Sequence, residues 1–137
     1  MNLLELNSQL LRLLALITSN KSLIIQLWKN MLQTEFEFNL IKGYVDSDGN
    51  IHRTGIMRLS RAMDEIIPMR DPRVKSNPAY ATVIILSRVI IRLGALDEIT
   101  PAVIENLFAV DLSYLQNFYR EINGLDENNN PIIPNTI

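Results

Sequence analysis

Cysteine is absent from this chain, which at once removes disulfides, thiolate metal sites and cysteine nucleophiles. That absence fits a reducing interior. There is one histidine, His52, and there is neither a glycine-rich phosphate loop nor a metal-spaced His/Glu cluster. No charge dominates: 13 basic residues against 15 acidic ones lack the basic excess usual in nucleic-acid-binding proteins. A bilayer-length apolar run is missing too, because Arg12 and then Thr18 to Ser22 interrupt the leucine-rich start. Glu5 ahead of that run, with no small-residue cleavage site behind it, argues against a signal peptide. What is present is 47% apolar residues in 137, one domain's worth of chain with enough core to fold without staples.

The stretch Asn77 to Gly94 organises the rest. Asn77 suits a helix cap, Pro78 a first helical position and Gly94 a left-handed end. Between them Val83, Ile84, Ile85, Leu86, Val89, Ile90, Ile91 and Leu93 cover nearly every side of a helix. Only Arg88 and Arg92, one turn apart, keep a polar stripe. The β-branched content would also suit a buried strand, but the segment is too long for one, so a helix over 78–93 is expected.

Residues 1 to 30 differ from the remainder of the chain. Leu3 to Ile17 make a leucine-rich helix, and a second short apolar run covers Leu23 to Trp28. Three readings stay open for this part: an added amphipathic helix, a partner-binding arm, or sequence upstream of a natural start at Met31. A hairpin comes next. Phe36, Phe38 and Leu40 alternate with Glu35, Glu37 and Asn39, and Asp46-Ser-Asp-Gly-Asn50 is a strong turn signal. Its second strand covers Ile51 to Leu59, with Gly55 as a bulge or close-approach point. Ser60 then caps a short helix, Arg61 to Ile67, stopped by Pro68, and Met69 to Ser76 reads as a tight ordered loop. Thr100 and Pro101 open a third helix reaching about Asn123, ahead of Gly124. The Asn- and Pro-rich tail 124–137 is expected to be disordered. The fold class is therefore α+β: an N-terminal β-hairpin packed on a small bundle of about three helices. An extra N-terminal helix and a flexible tail flank this domain, which spans residues 31–123.

Charge is segregated. Residues 53–92 are mostly basic, and residues 93–137 carry Arg120 alone against Asp97, Glu98, Glu105, Asp111, Glu121, Asp126 and Glu127. The acidic helix is expected to pack beside the basic segment, or chains to associate head to tail. A nucleic-acid surface would want interleaved aromatics, which are missing.

Candidates for chemistry are few. Asp46 to Asn50 is a turn rather than a calcium loop, since aligning Gly49 with that loop's glycine puts Tyr44 and Gly55 in ligand positions. His52 has no serine–acid constellation aimed at it and reads as a surface residue of the hairpin. Catalytic residues, metals and cofactors are not expected. Asp111 sits in the middle of the apolar stripe formed by Ile104, Leu107, Phe108, Leu115 and Phe118, and a buried carboxylate needs a partner. A pair with Arg88 or Arg92 is the expectation. The alternative is that Asp111 caps a break between two helices.

From Met31 onward the chain resembles the small tail assembly proteins of contractile-tailed phages and phage-tail-like contractile injection systems. The resemblance rests on the hairpin Phe36 to Arg58, on Met57-Arg-Leu-Ser-Arg-Ala-Met-Asp-Glu-Ile66 and on Arg70-Asp-Pro-Arg-Val-Lys-Ser-Asn-Pro-Ala-Tyr80. It continues through Leu86-Ser-Arg-Val-Ile-Ile-Arg-Leu-Gly94, Thr100-Pro-Ala-Val-Ile-Glu-Asn-Leu-Phe108, Asp111-Leu-Ser-Tyr-Leu115 and Tyr119. It implies a non-enzymatic cytoplasmic chaperone that binds the tape-measure protein, and through it the assembling tube protein, and is absent from the finished particle. Arg70, Arg73 and Tyr80 form the candidate partner surface, and homo-oligomerisation is compatible with it. A structural baseplate or tube adaptor subunit is the alternative, and a small nucleic-acid-binding regulator the third. No membrane partner is expected.

Overall fold

The computed structural model describes residues 2–133 and divides the chain into two compact units, Met1–Gln33 and Thr34–Ile137. In the first unit, α1 (Leu3–Ser19) begins where the Asn2 side chain accepts from the Glu5 amide at 2.9 Å. Asn20 ends α1 and starts α2 (Lys21–Met31), with a 73° bend between the two helices. Neither helix holds a buried residue; Leu3, Leu10, Leu13, Ile17, Leu27 and Trp28 are all more than half exposed. No single helix among the described residues is long and apolar enough to cross a membrane.

The second unit is mixed α+β. Strands β1 (Glu35–Val45) and β2 (Ile51–Arg58) form the expected hairpin around the Asp46 turn, whose Oδ1 accepts from the Asp48 and Asn50 amides. Phe36, Phe38 and Leu40 point inward, as period-two alternation requires. Pairing jumps from Asn39↔Thr54 to Tyr44↔His52, so residues 40–43 bulge opposite Arg53 alone.

The central segment departs from the expected helix. After a 3₁₀ turn, Pro78–Tyr80, helix α5 (Ala81–Val89) stops and the chain runs without a loop into β3 (Ile90–Leu93). β3 pairs antiparallel with β2, making a three-stranded sheet in the order β1-β2-β3 rather than a two-stranded hairpin. Ile90 and Ile91, poor at holding a helix end but well suited to a pleated edge, account for the switch. Gly55 permits it: a Cβ there would lie 2.4 Å from Phe38 Cζ and 2.5 Å from the Arg92 carbonyl oxygen.

Three further expectations are corrected. The short helix is α3 (Ala62–Ile66), capped at Arg61 rather than Ser60 and continued by a 3₁₀ turn, Ile67–Arg70, that accommodates Pro68. The loop after it holds α4 (Pro72–Ser76), with Asp71 as its cap. The third helix is broken into α6 (Pro101–Glu105) and α7 (Ala109–Ile122), because Asn106 to Phe108 leave helical geometry and Phe108 is extended. Thr100 does cap α6, accepting from the Val103 amide. Beyond α7 the described residues make local turn hydrogen bonds. Asp126 Oδ1 accepts from the Asn128 and Asn130 amides, and Ile132 N donates to the Gly124 carbonyl. Residues 134–137 of the expected flexible tail lie outside the described residues.

One core joins these elements. Phe38, Met57, Leu86, Val89, Leu93, Ile104 and Leu115 are essentially inaccessible, and the Phe38 and Phe118 rings meet edge to face at 5.8 Å. Each such aliphatic side chain contributes roughly 1.5–3 kcal/mol by leaving water. Helix α7 lies against β1, while α5 packs on α6 and α3.

Candidate interaction site

Three buried polar side chains stitch this core together, and each one's bonds decide what it can do. Asp111 is completely buried in the first turn of α7. Its Oδ1 accepts from the amides of Ile41 (2.6 Å) and Lys42 (3.1 Å), and its Oδ2 from those of Lys42 (3.3 Å) and Gly43 (2.9 Å). The expected pair with Arg88 or Arg92 is therefore not formed. The β1 bulge turns three successive N–H groups outward, and the carboxylate satisfies them where no strand can. Arg92 is exposed on β3, and Arg88 has another partner. The capping alternative fails as well: the break precedes Asp111, and Phe108 is the cap residue of α7.

His52 is buried rather than on the hairpin surface. The Ala95 amide donates to its Nδ1 at 3.2 Å, which puts the proton on Nε2, and Nε2–H donates to Asp46 Oδ2 at 2.9 Å. This bond, with help from the Asn50 amide, holds the Asp46 carboxyl below its ordinary range. The sequence did carry a signal for it, since Asp46 and His52 flank one hairpin turn.

Asp64, on α3, is the third. Arg58 meets it bidentately, Nη1 to Oδ2 at 2.6 Å and Nη2 to Oδ1 at 2.9 Å. The Arg61 amide donates to Oδ2 at 2.8 Å and Arg88 Nε to Oδ1 at 3.1 Å. Arg58 Nη2 also reaches the Arg88 carbonyl. The Arg58 guanidinium, first among these donors, holds the Asp64 carboxyl far below the usual carboxylate range, against the opposing effect of burial. The basic segment thus pairs part of its charge within itself, Arg58 and Arg88 sharing Asp64, and Arg73 pairs with Asp71 at 3.0 Å. The acidic C-terminal part is not what these arginines pair with.

Around Asp64 the surface opens into a cleft of about 650 Å³ lined by Arg58, Arg61, Ala62, Met63, Asp64 and Arg88. A second cleft, about 440 Å³, lies on the other side of α3, with Met69, Pro78, Ile85 and Leu86 as its apolar lining and Glu65, Gln116 and Tyr119 as polar members. Tyr119 O–H donates to Glu65 Oε1 at 2.7 Å, and burial, followed by that carboxylate, pushes the phenol up to about 12. α3 and its 3₁₀ extension leave Met63, Ile66, Ile67 and Met69 exposed, with Met63 lining the first cleft and Met69 the second. Two flexible thioethers and two isoleucines at one surface can repack against different helical ligands.

The expected partner surface is only partly assembled. Arg73 lies over the Tyr80 ring, 5.1 Å from its centroid, and donates to the Tyr80 hydroxyl at 3.3 Å. That hydroxyl donates in turn to Glu105. These side chains brace α4 and the Pro78–Tyr80 turn against α6. Arg70 takes no part in the network. No group of three His, Asp or Glu residues able to hold a metal occurs among the described residues.

Comparison of the chain with protein-family models, curated proteins and solved structures finds no match.

Proposed function

We propose that this chain is a non-enzymatic assembly chaperone of a phage tail or contractile injection system, acting in the cytoplasm. It binds the tape-measure protein while tube protein assembles around it. On this reading the hairpin-and-helix body from Thr34 onward carries the client site, and α1–α2 form an accessory arm.

The observation that supports it is the surface of α3 and its 3₁₀ extension. Met63, Ile66, Ile67 and Met69 are exposed, Met63 lining the cleft with three arginines and Met69 the second cleft of mixed apolar and polar lining. An amphipathic client helix needs such a surface: an apolar strip with polar groups on both sides. The buried polar groups, by contrast, are saturated by contacts within the fold, as expected of scaffold rather than of reactive groups.

Co-expression with the tape-measure protein of the same tail apparatus, followed by pull-down, tests the proposal. Co-purification that is lost on replacing Ile66 and Met69 by Asp is the expected result. Stoichiometric presence of the chain in purified particles, seen by mass spectrometry, would point to a structural adaptor subunit instead.

A further inference from the structure

Arg88 is held to Asp64 by one edge only. Its Nε makes the 3.1 Å contact, while its two terminal nitrogens are left without a partner among the described residues. Arg58 is different, since Nη1 and Nη2 bond both Asp64 oxygens and the carbonyls of Leu59 and Arg88. Asp64 accepts four bonds and is 2% exposed, so its own charge is fully engaged. The Arg61 side chain, exposed at the mouth of the cleft, makes no hydrogen bond or ion pair among the described residues. Three guanidinium groups and one carboxylate therefore line this cleft, leaving a net charge of 3 − 1 = +2 in a protein of net charge −2.

A planar guanidinium anchored through Nε presents its remaining N–H pair as a fork that matches a carboxylate. Met63 lines the same cleft and Ile66 follows one turn later in α3, both nearly half exposed. Charge and apolar surface thus occur together at one helix-sized site.

We propose that the Arg58–Arg61–Arg88 cleft captures a Glu or Asp side chain of an amphipathic helix whose apolar face covers Met63 and Ile66. Resting on the chaperone reading, this gives the client segment a chemistry: acidic and helical. Arg88 supplies the bidentate donor and Arg61 closes over the carboxylate from the mouth. Arg58, already spent on Asp64, sets the local potential and the position of Asp64. Glu65, the neighbouring acid on α3, does not line this cleft; it shares a smaller one with Arg61, and its Oε1 accepts from Tyr119. A phosphate backbone would also satisfy guanidinium groups, but the apolar neighbours are aliphatic and offer no stacking platform for bases.

The test uses the full chain and two labelled model helices, one built of leucine and glutamate heptads and one with glutamine at every glutamate position. Fluorescence anisotropy at low salt is expected to show about tenfold tighter binding of the glutamate helix, the worth of one charge-assisted bidentate contact. Arg61→Gln should reduce that preference in part without changing the melting temperature, because its side chain supports nothing in the fold. Arg88→Gln should remove most of the preference, with some loss of stability from its lost Asp64 contact. Equal binding of the two helices, or an undiminished preference in Arg61→Gln, overturns the proposal. So does tighter binding of duplex DNA that Arg61→Gln abolishes. Should the tape-measure protein co-purify equally with wild type and with a chain carrying both Arg61→Gln and Arg88→Gln, the acidic-helix site fails while the chaperone reading stands. Should the cleft select the glutamate helix while the tape-measure protein does not co-purify, the chaperone reading fails and the site stands.

Discussion

Arg58 and Asp64 face each other as a two-point pair, 2.6 and 2.9 Å, and the carboxylate they share with Arg88 ties the end of β2 to α3 and α5. The Asp64 pKa in the folded state lies well below its unfolded value, near 3.9. Its contribution to stability is therefore complete above about pH 4 and is lost as pH falls toward the folded value. Melting temperature followed from neutral pH downward should drop steeply in the wild type. Asp64→Asn should melt lower at neutral pH and show a shallower acid limb. Parallel curves would mean that other carboxylates dominate acid unfolding.

Replacing Asp111 by Ala should cost about 3 kcal/mol or more, because three amides of the β1 bulge lose their acceptor and the Gly43 bond is fully buried. Asp111→Asn should recover little, since its NH2 group would face an N–H donor. Urea denaturation measures both. A loss below about 1 kcal/mol for the alanine variant would show that water replaces the carboxylate.

Gly94 has φ = +55°, and a Cβ there would lie 2.2 Å from His52 Nδ1 and 2.6 Å from His52 Cβ. Gly94→Ala should therefore cost more than the ~1–2 kcal/mol of left-handed strain alone, because the imidazole must also move. Nitrogen NMR provides the reporter. In the wild type the His52 proton should reside on Nε2, and in Gly94→Ala the Ala95 amide should lose its imidazole acceptor.

Tyr119 should be the last, or among the last, tyrosines to ionise. Its phenol is raised to about 12, by burial first and then by Glu65, against about 10 in the unfolded chain. The stability tied to the neutral phenol is present below pH 10 and is lost between about pH 10 and 12. Phenolate absorbance during alkaline titration should show a late step that Tyr119→Phe removes and Tyr80→Phe leaves in place.

Much of this architecture could be read from residue patterns, and the failures share a cause. Alternation in Glu35 to Leu40 and the Asp-Gly turn located the hairpin, and Thr100-Pro101 located a helix start, because these signals are local. The switch from α5 to β3 at Ile90 was not visible, since a run of β-branched residues is compatible with either state and only pairing with β2 decides between them. Asp111 was recognisable as buried from its place among Ile104, Leu107 and Leu115. Its partner was not, because the acceptor-hungry groups are main-chain amides exposed by a bulge that no side chain announces. Asp64 drew no attention from sequence at all: one acid among several arginines looks like ordinary surface charge until β2, α3 and α5 converge on it.

The bond between the β1 bulge and Asp111 also sets a schedule. Ile41 and Asp111 are 70 residues apart, which at cellular synthesis rates separates their appearance by roughly 4–14 s. Through that interval the hairpin can form, but its bulge amides have only water or a foreign acceptor to bind. The nascent chain therefore passes through a stage in which one strand edge is open, and the emergence of α7 closes it.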